Sequence, residues 1–181
     1  MEYESVIKMK YIKINKDKLK NEEINKVETR IKILMINSKN EMLVGYSYNC
    51  YQFIGGHLEE NEDLLDCLKR EVKEETGIEI DVCDVSPFLL KEEFYKDYPK
   101  KGDNYNSRIY YFVIYTDSCP NINNTNYTEE ELVGNFCYKY IDIDDFEKII
   151  VDNYTKYENA KIIGLEMLVV FREYKNINDF T

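Results

Sequence analysis

"GGHLEENEDLLDCLKREVKEETGI", residues 55–78, holds an arginine followed by three glutamates within a few positions, Arg70, Glu71, Glu74 and Glu75. Leu64, Leu65, Leu68 and Val72 recur at helical spacing, which predicts a helix over about 62–76 with one apolar face. On a wheel of roughly 100° per residue, Glu71, Glu74 and Glu75 fall within about 100° of one another and border that face. Gly77 reads as a left-handed C-terminal cap. Gly55 and Gly56 mark the point where a strand, "YQFI", gives way to the loop before the helix, and glycine lets a backbone carbonyl turn there toward a ligand. Like charges one turn apart repel by a few tenths of a kcal/mol each, and Arg70 and Lys73 offset only part of this. A divalent cation removes the conflict. Oxygen donors with carboxylate charge suit Mg²⁺ or Mn²⁺, which leave positions for water and phosphate oxygens. The pattern therefore points to phosphate chemistry.

Outward from this helix, "YESVIKMKYIKI" (3–14) and "VETRIKILMIN" (27–37) are rich in β-branched and aromatic residues and read as strands. The polar "KDKLKNEEINK" between them reads as a loop or short helix. "SKNE" (38–41) marks a hairpin turn before "MLVGYSY", with asparagine but no glycine. After the helix, residues 78–95 alternate as a strand broken near Pro87. Residues 96–106 read as an exposed loop suited to a lid or a base-stacking element, and "RIYYFVIYT" (108–116) as a buried strand. "NFCYKYIDI" (135–143) reads as a further strand, "DDFEKIIV" as a short helix capped by Asp144, and residues 157–175 as a long closing helix. Strands and helices interleave with hairpin-like pairs. The expectation is an α/β fold, one domain over residues 1–181, with residues 1–26 as an N-terminal strand and connecting segment.

The composition narrows the function. A formal net charge of −11 disfavours nucleic acid as a partner, with a local basic patch around residues 8–20 as the one feature favouring it. No apolar run approaches the ~20 residues of a membrane span. Five cysteines (Cys50, Cys67, Cys83, Cys119, Cys137) lack CxxC spacing and no leader precedes them, so they read as reduced, mostly buried thiols of a soluble cytoplasmic protein. The single histidine, His57, excludes an HExxH protease site and a histidine-rich zinc site. Chemistry must rest on carboxylates.

Residues 56–78 resemble the Nudix box of the Nudix hydrolases, Gx5Ex7REUxEExGU with U apolar. Gly56, Glu62, Arg70, Glu71, Val72, Glu74, Glu75, Gly77 and Ile78 fill every specified position. At this composition a chance match is on the order of 10⁻⁷. The resemblance implies an α/β/α sandwich with a mixed sheet, and metal-dependent hydrolysis of a phosphoanhydride in a nucleoside diphosphate linked to a moiety X. It implies that Glu71, Glu74 and Glu75 carry Mg²⁺ or Mn²⁺ with help from the Gly56 carbonyl. Arg70 orients the glutamates by an ion pair, and Glu62 is a structural member of the box. A carboxylate must accept the proton of the attacking water. The candidates are a box glutamate and the acidic run 129–131, of which Glu130 is a further metal-ligand candidate and a solvated loop is the plain alternative.

Arg30 and Arg108, two of only four arginines, are candidates for phosphate contact, although Arg108 could instead pair with an acid on a neighbouring strand. Tyr95, 17 residues past the box, stands near where some dinucleoside polyphosphate hydrolases carry a tyrosine. His57 occupies an unspecified box position and reads as a turn or surface residue before a catalytic one. The resemblance also makes a homodimer an expectation. A non-catalytic nucleotide sensor of the same fold is the alternative, but it need not retain the box glutamates. An isopentenyl diphosphate isomerase would need several histidines.

Overall fold

The computed structural model describes residues 9–82 and 85–178; the first part of the expected 3–14 strand, and Cys83, lie outside them. Among the described residues seven strands form one mixed sheet: β1 (Lys10–Ile14), β2 (Lys26–Ile36), β3 (Glu41–Ser47), β4 (Cys50–Gln52), β5 (Leu89–Tyr95), β6 (Tyr105–Tyr115) and β7 (Cys137–Asp142). Their order is β1-β5-β6-β2-β3-β4, with β7 on the far side of β3. β2 and β6 run parallel over their full length, while β5–β6 and β2–β3 are antiparallel.

Both faces of the central strands are buried, as their near-continuous apolar runs require. Ile31, Ile33 and Met35 of β2 pack with Cys67, Leu68 and Val72 of helix α1 (Leu64–Thr76). Leu34 and Ile36 pack on the opposite face with α3 (Phe146–Lys156) and α4 (Lys161–Asn178), through Phe146, Ile150, Met167 and Phe171. Helices on both faces make the fold an α/β/α sandwich, as the sequence predicts.

The sheet opens where the site will lie. β3 pairs with β2 only at Met35↔Leu43 and Ile36↔Met42 and then diverges. Bridges Ile33↔Ile54 and Arg30↔His57 bring residues 54–57 against the edge that β3 leaves. The 38–41 turn closes as expected, with Asn40 taking the left-handed conformation (φ 64°) that a glycine would otherwise supply.

Several boundaries differ from expectation. The strand after the box begins only at Leu89: its register starts beyond Pro87, which has no N–H to donate, and Phe88 takes the first bond to Tyr111. Helix α3 has Asp145, not Asp144, at its cap position, and the Asp145 side chain makes no capping bond. The acidic run 129–131 lies in a short helix, α2 (Glu129–Val133), because Thr128 and Glu131 form a reciprocal capping box. Of the thiols, Cys50 and Cys67 are buried but Cys119 and Cys137 are exposed.

Candidate active site

Helix α1 is held at both ends by local chemistry. The Asp63 carboxylate accepts from the Leu65 and Asp66 amides at 2.9 Å, and Gly77, at φ 70°, closes the last turn with its N–H on the Lys73 carbonyl. The buried face between these caps carries Cys67, Leu68 and Val72, and with them Glu71 and Glu75, which are only 8% and 5% exposed. Glu74 stands at the rim.

These carboxylates reach through the sheet at the two glycines. A Cβ on Gly56 would sit 2.5 and 2.7 Å from the two Glu71 carboxylate oxygens, so the missing side chain is what admits Glu71. Gly55 (φ 123°) donates its N–H to Glu75 Oε2 at 3.2 Å. Its carbonyl accepts from Lys32 Nζ at 2.5 Å, and the same ammonium donates to the Phe53 carbonyl at 3.1 Å. The Gly56 carbonyl, the expected metal ligand, already accepts from the Ile31 amide at 2.9 Å as part of the bridge to β2. The Gly55 carbonyl is thus the one facing a cation.

Arg70 organises the box. Its Nε and Nη2 donate to the two Glu62 oxygens at 2.8 and 2.9 Å, Nη1 to Glu71 at 2.8 Å and Glu74 at 3.1 Å, and Nη2 also to the His57 carbonyl at 2.9 Å. The forked geometry of guanidinium allows this, where an ammonium could not span the set. Hydrogen bonding to Arg70 pulls the Glu62 carboxyl down to about 2. Burial pushes the Glu75 carboxyl up to about 8, opposed by Lys32 and the Gly55 N–H and reinforced by the charges of Glu131 and Glu71. Burial also raises Glu71, against the pull of Arg70 and Lys32.

A cleft of about 760 Å³ gathers Arg30, Lys32, Gly55, Gly56, Arg70, Glu71, Glu74, Glu75, Glu130 and Glu131 around this point. A divalent cation fits the donor set in kind. Two desolvated carboxylates with raised pKa values beside a glycine carbonyl are hard oxygen donors whose burial a cation would offset. Among the described residues no three acidic, histidine or cysteine side chains are gathered at single-ion spacing, because Arg70 draws Glu71 and Glu74 to itself while Glu75 turns to Gly55. Arg70 and Lys32 carry the compensating charge.

The NUDIX domain family matches residues 26–160 of the chain. The chain belongs to the Nudix family. Its class of activity is that of a Nudix-type pyrophosphohydrolase. Among solved structures, an Ap4A hydrolase of C. elegans, in a binary complex, superposes with a TM-score of 0.53 at 14% identity, covering 85% of this chain and 99% of that one. A MutT protein from Methanosarcina mazei Go1 gives 0.47 at 15% identity (76% and 96% covered). The mutator MutT protein from Bacillus halodurans gives 0.49 at 16% identity (67% and 72% covered). No curated protein matches. At these identities the first likeness supports the fold and nothing finer.

The Nudix fold does not bring all the expected substrate residues together. Arg30 lines the cleft, its Nε donating to His57 Nε2 at 2.9 Å and its Nη2 to Glu28 at 3.0 Å. His57 belongs to that same exposed cluster, paired with Glu28 and Arg30. Arg108 lies outside the cleft and takes the other option open to it, donating to Glu92 on the neighbouring strand at 2.7 Å. Tyr95 likewise lies outside it, its hydroxyl on Glu93 at 2.9 Å and its ring among Tyr98 and Tyr105. No residue of 96–106 lines the cleft.

Sequence reasoning missed Lys32 but named the acidic run 129–131, of which Glu130 and Glu131 line the cleft. Lys32 could have been found: it is two residues from Arg30 on a strand, so both side chains share one face.

Proposed function

We propose that this Nudix enzyme hydrolyses a phosphoanhydride in a nucleoside diphosphate linked to a further moiety, with Mg²⁺ or Mn²⁺ as cofactor. Glu71, Glu74 and Glu75 would hold the ion, with the Gly55 or Gly56 carbonyl and with Glu130 or Glu131 at the facing wall. Bound there, such an ion supplies Lewis-acid stabilisation of developing phosphate charge and a more acidic water. The chain's own groups do the rest. Arg30 and Lys32 offer cations to phosphate oxygens from one face of β2. Arg70 keeps the Glu71 and Glu74 carboxylates oriented while Glu62 holds Arg70 in place. A box glutamate that the ion leaves free is the proton acceptor we assign, with the acidic run 129–131 as its rival.

The observation that carries this reading is the meeting of two buried carboxylates, Glu71 and Glu75, at a glycine window opening on a cleft that also holds Arg30 and Lys32. The test is Glu75→Gln, assayed with Mg²⁺ and Mn²⁺ on nucleoside triphosphates, nucleotide sugars, ADP-ribose and dinucleoside polyphosphates, with products identified by mass. Turnover falls by at least about a hundredfold, or about 2.7 kcal/mol of transition-state stabilisation, with an unchanged circular-dichroism spectrum. Near wild-type turnover overturns the assignment, and tight nucleotide binding by the wild type without product would favour a sensor instead.

We infer further that the chain acts as one domain, since β1 pairs with β5 and α4 covers the core beyond the matched residues 26–160. We assign it to the cytoplasm on its four free described cysteines. No described helix is long and apolar enough to cross a membrane.

A further inference from the structure

A second cavity, of about 340 Å³, lies on the α1-side face of the sheet where β1, β5 and β6 extend past the helix. Its floor is an ordered polar cluster. Glu92, 9% exposed, accepts from Tyr11 Oη, from Asn106 Nδ2 at 3.1 Å and from Arg108 Nε at 2.7 Å. Three donors saturate that carboxylate, and Arg108 gives it only its Nε. Among the described residues the Arg108 terminal nitrogens make no hydrogen bond or ion pair, and Lys13 has no acid partner, its ammonium resting 4.8 Å from the centre of the Phe94 ring.

An unpaired ammonium, Lys13, and a guanidinium with unused terminal nitrogens, Arg108, meet at one cavity in a chain of net charge −11. The cluster of Lys13, Arg108 and Glu92 carries one net positive charge. A second, independent feature lies beside them: Asn106 is 2% exposed, and its Oδ1 is buried without any partner while its amide nitrogen is fixed on Glu92. A buried acceptor left empty is destabilising, so the site calls for a hydrogen-bond donor next to an anion. Arg108 offers its terminal nitrogens as the fork that suits phosphate or carboxylate oxygens, and the volume is at the small end for ligand pockets.

We propose that this cavity is a binding site for a small phosphomonoester that carries a hydroxyl, as a sugar phosphate does. Its phosphate meets Arg108 and Lys13, and its hydroxyl donates to Asn106 Oδ1. The site is separate from the catalytic cleft: Arg30 and Arg108 lie on the adjacent strands β2 and β6, where Thr29 pairs with Arg108 and Arg30 with Ile109, so the two guanidiniums project from opposite faces of the sheet.

The test is titration calorimetry of the full chain with ribose 5-phosphate, inorganic phosphate and malate, in EDTA so that the catalytic cleft is not loaded with metal. Ribose 5-phosphate binds saturably at one site, more tightly than inorganic phosphate or malate. Arg108→Gln and the exposed Lys13→Gln each weaken it at least about tenfold, or about 1.4 kcal/mol, while Glu75→Gln leaves it unchanged. Absence of binding at millimolar ligand, equal binding by both cation variants and wild type, or tighter binding of malate overturns the proposal. Loss of binding in Glu75→Gln would move the ligand to the cleft and overturn it as well. Because Glu75→Gln binding and Glu75→Gln turnover are read separately, this site and the catalytic reading fail independently.

Discussion

Glu75→Gln should make the metal-free protein more stable while removing its activity. The Glu75 carboxyl is held at about 8 against an ordinary 4.5, mainly because burial penalises its charged form. Between these values the folded chain retains a proton that the unfolded chain has released. Stability therefore falls as pH rises from about 4.5 to about 8, and the full penalty is present above that. One pKa unit corresponds to about 1.4 kcal/mol, so the span sets a ceiling of roughly 5 kcal/mol. Lys32, Glu131 and Glu71 all face the group and can readjust, which leaves about 1–3 kcal/mol expected. Glutamine is neutral at every pH and can still accept the Gly55 N–H. At about 2–4 °C per kcal/mol for a chain of this size, the variant melts roughly 2–12 °C above wild type at pH 8.5 in EDTA, and the two curves converge toward pH 4.5. Thermal melts followed by circular dichroism across that range provide the assay. A variant no more stable than wild type at pH 8.5, or an equal difference at pH 4.5, would refute the claim that a buried, cation-seeking carboxylate stands at this position.

Two further outcomes follow from the same helix. Glu62 has the opposite sign: its carboxyl lies at about 2, held down by hydrogen bonds from Arg70, so its stabilisation is present above about 4.5 and lost as pH falls toward 2. Glu62→Gln should therefore lower the melting temperature at pH 7 and narrow the gap at pH 3, and a gap that persists at pH 3 would contradict the Arg70 pairing. Gly77→Ala places a Cβ 2.1 Å from the Asn121 carbonyl oxygen in a left-handed residue (φ 70°). It should cost at least about 2 kcal/mol in urea unfolding, and a loss under about 0.5 kcal/mol would show that the cap can relax.

The box helix was legible because its determinants are local. The apolar spacing from Leu64 to Val72 and the glycine at 77 lie within one contiguous stretch, and hydrogen bonds four residues apart need no distant partner. The same holds for the 38–41 hairpin. Even there the start was misplaced by two residues, because Asp63, a good N-cap by composition, ends the loop. The α2 helix was missed although its Thr128–Glu131 capping box is visible in sequence, since three consecutive glutamates read more readily as a solvated loop.

What the sequence determined by itself is the chemistry of one turn of helix: a complete box, carboxylates on the edge of an apolar face, and an arginine beside them. Which other side chains would join them was decided by tertiary structure. Arg30 and Arg108 are alike in sequence, on parallel strands paired in register one residue apart. That single step of alternation sends one into the cleft and the other to Glu92 across the sheet. Lys32 and Glu131 reach Glu75 from elements distant in the chain. Register and packing between such elements depend on contacts that no local pattern encodes, and so the fold alone decided which candidate side chains meet the box glutamates.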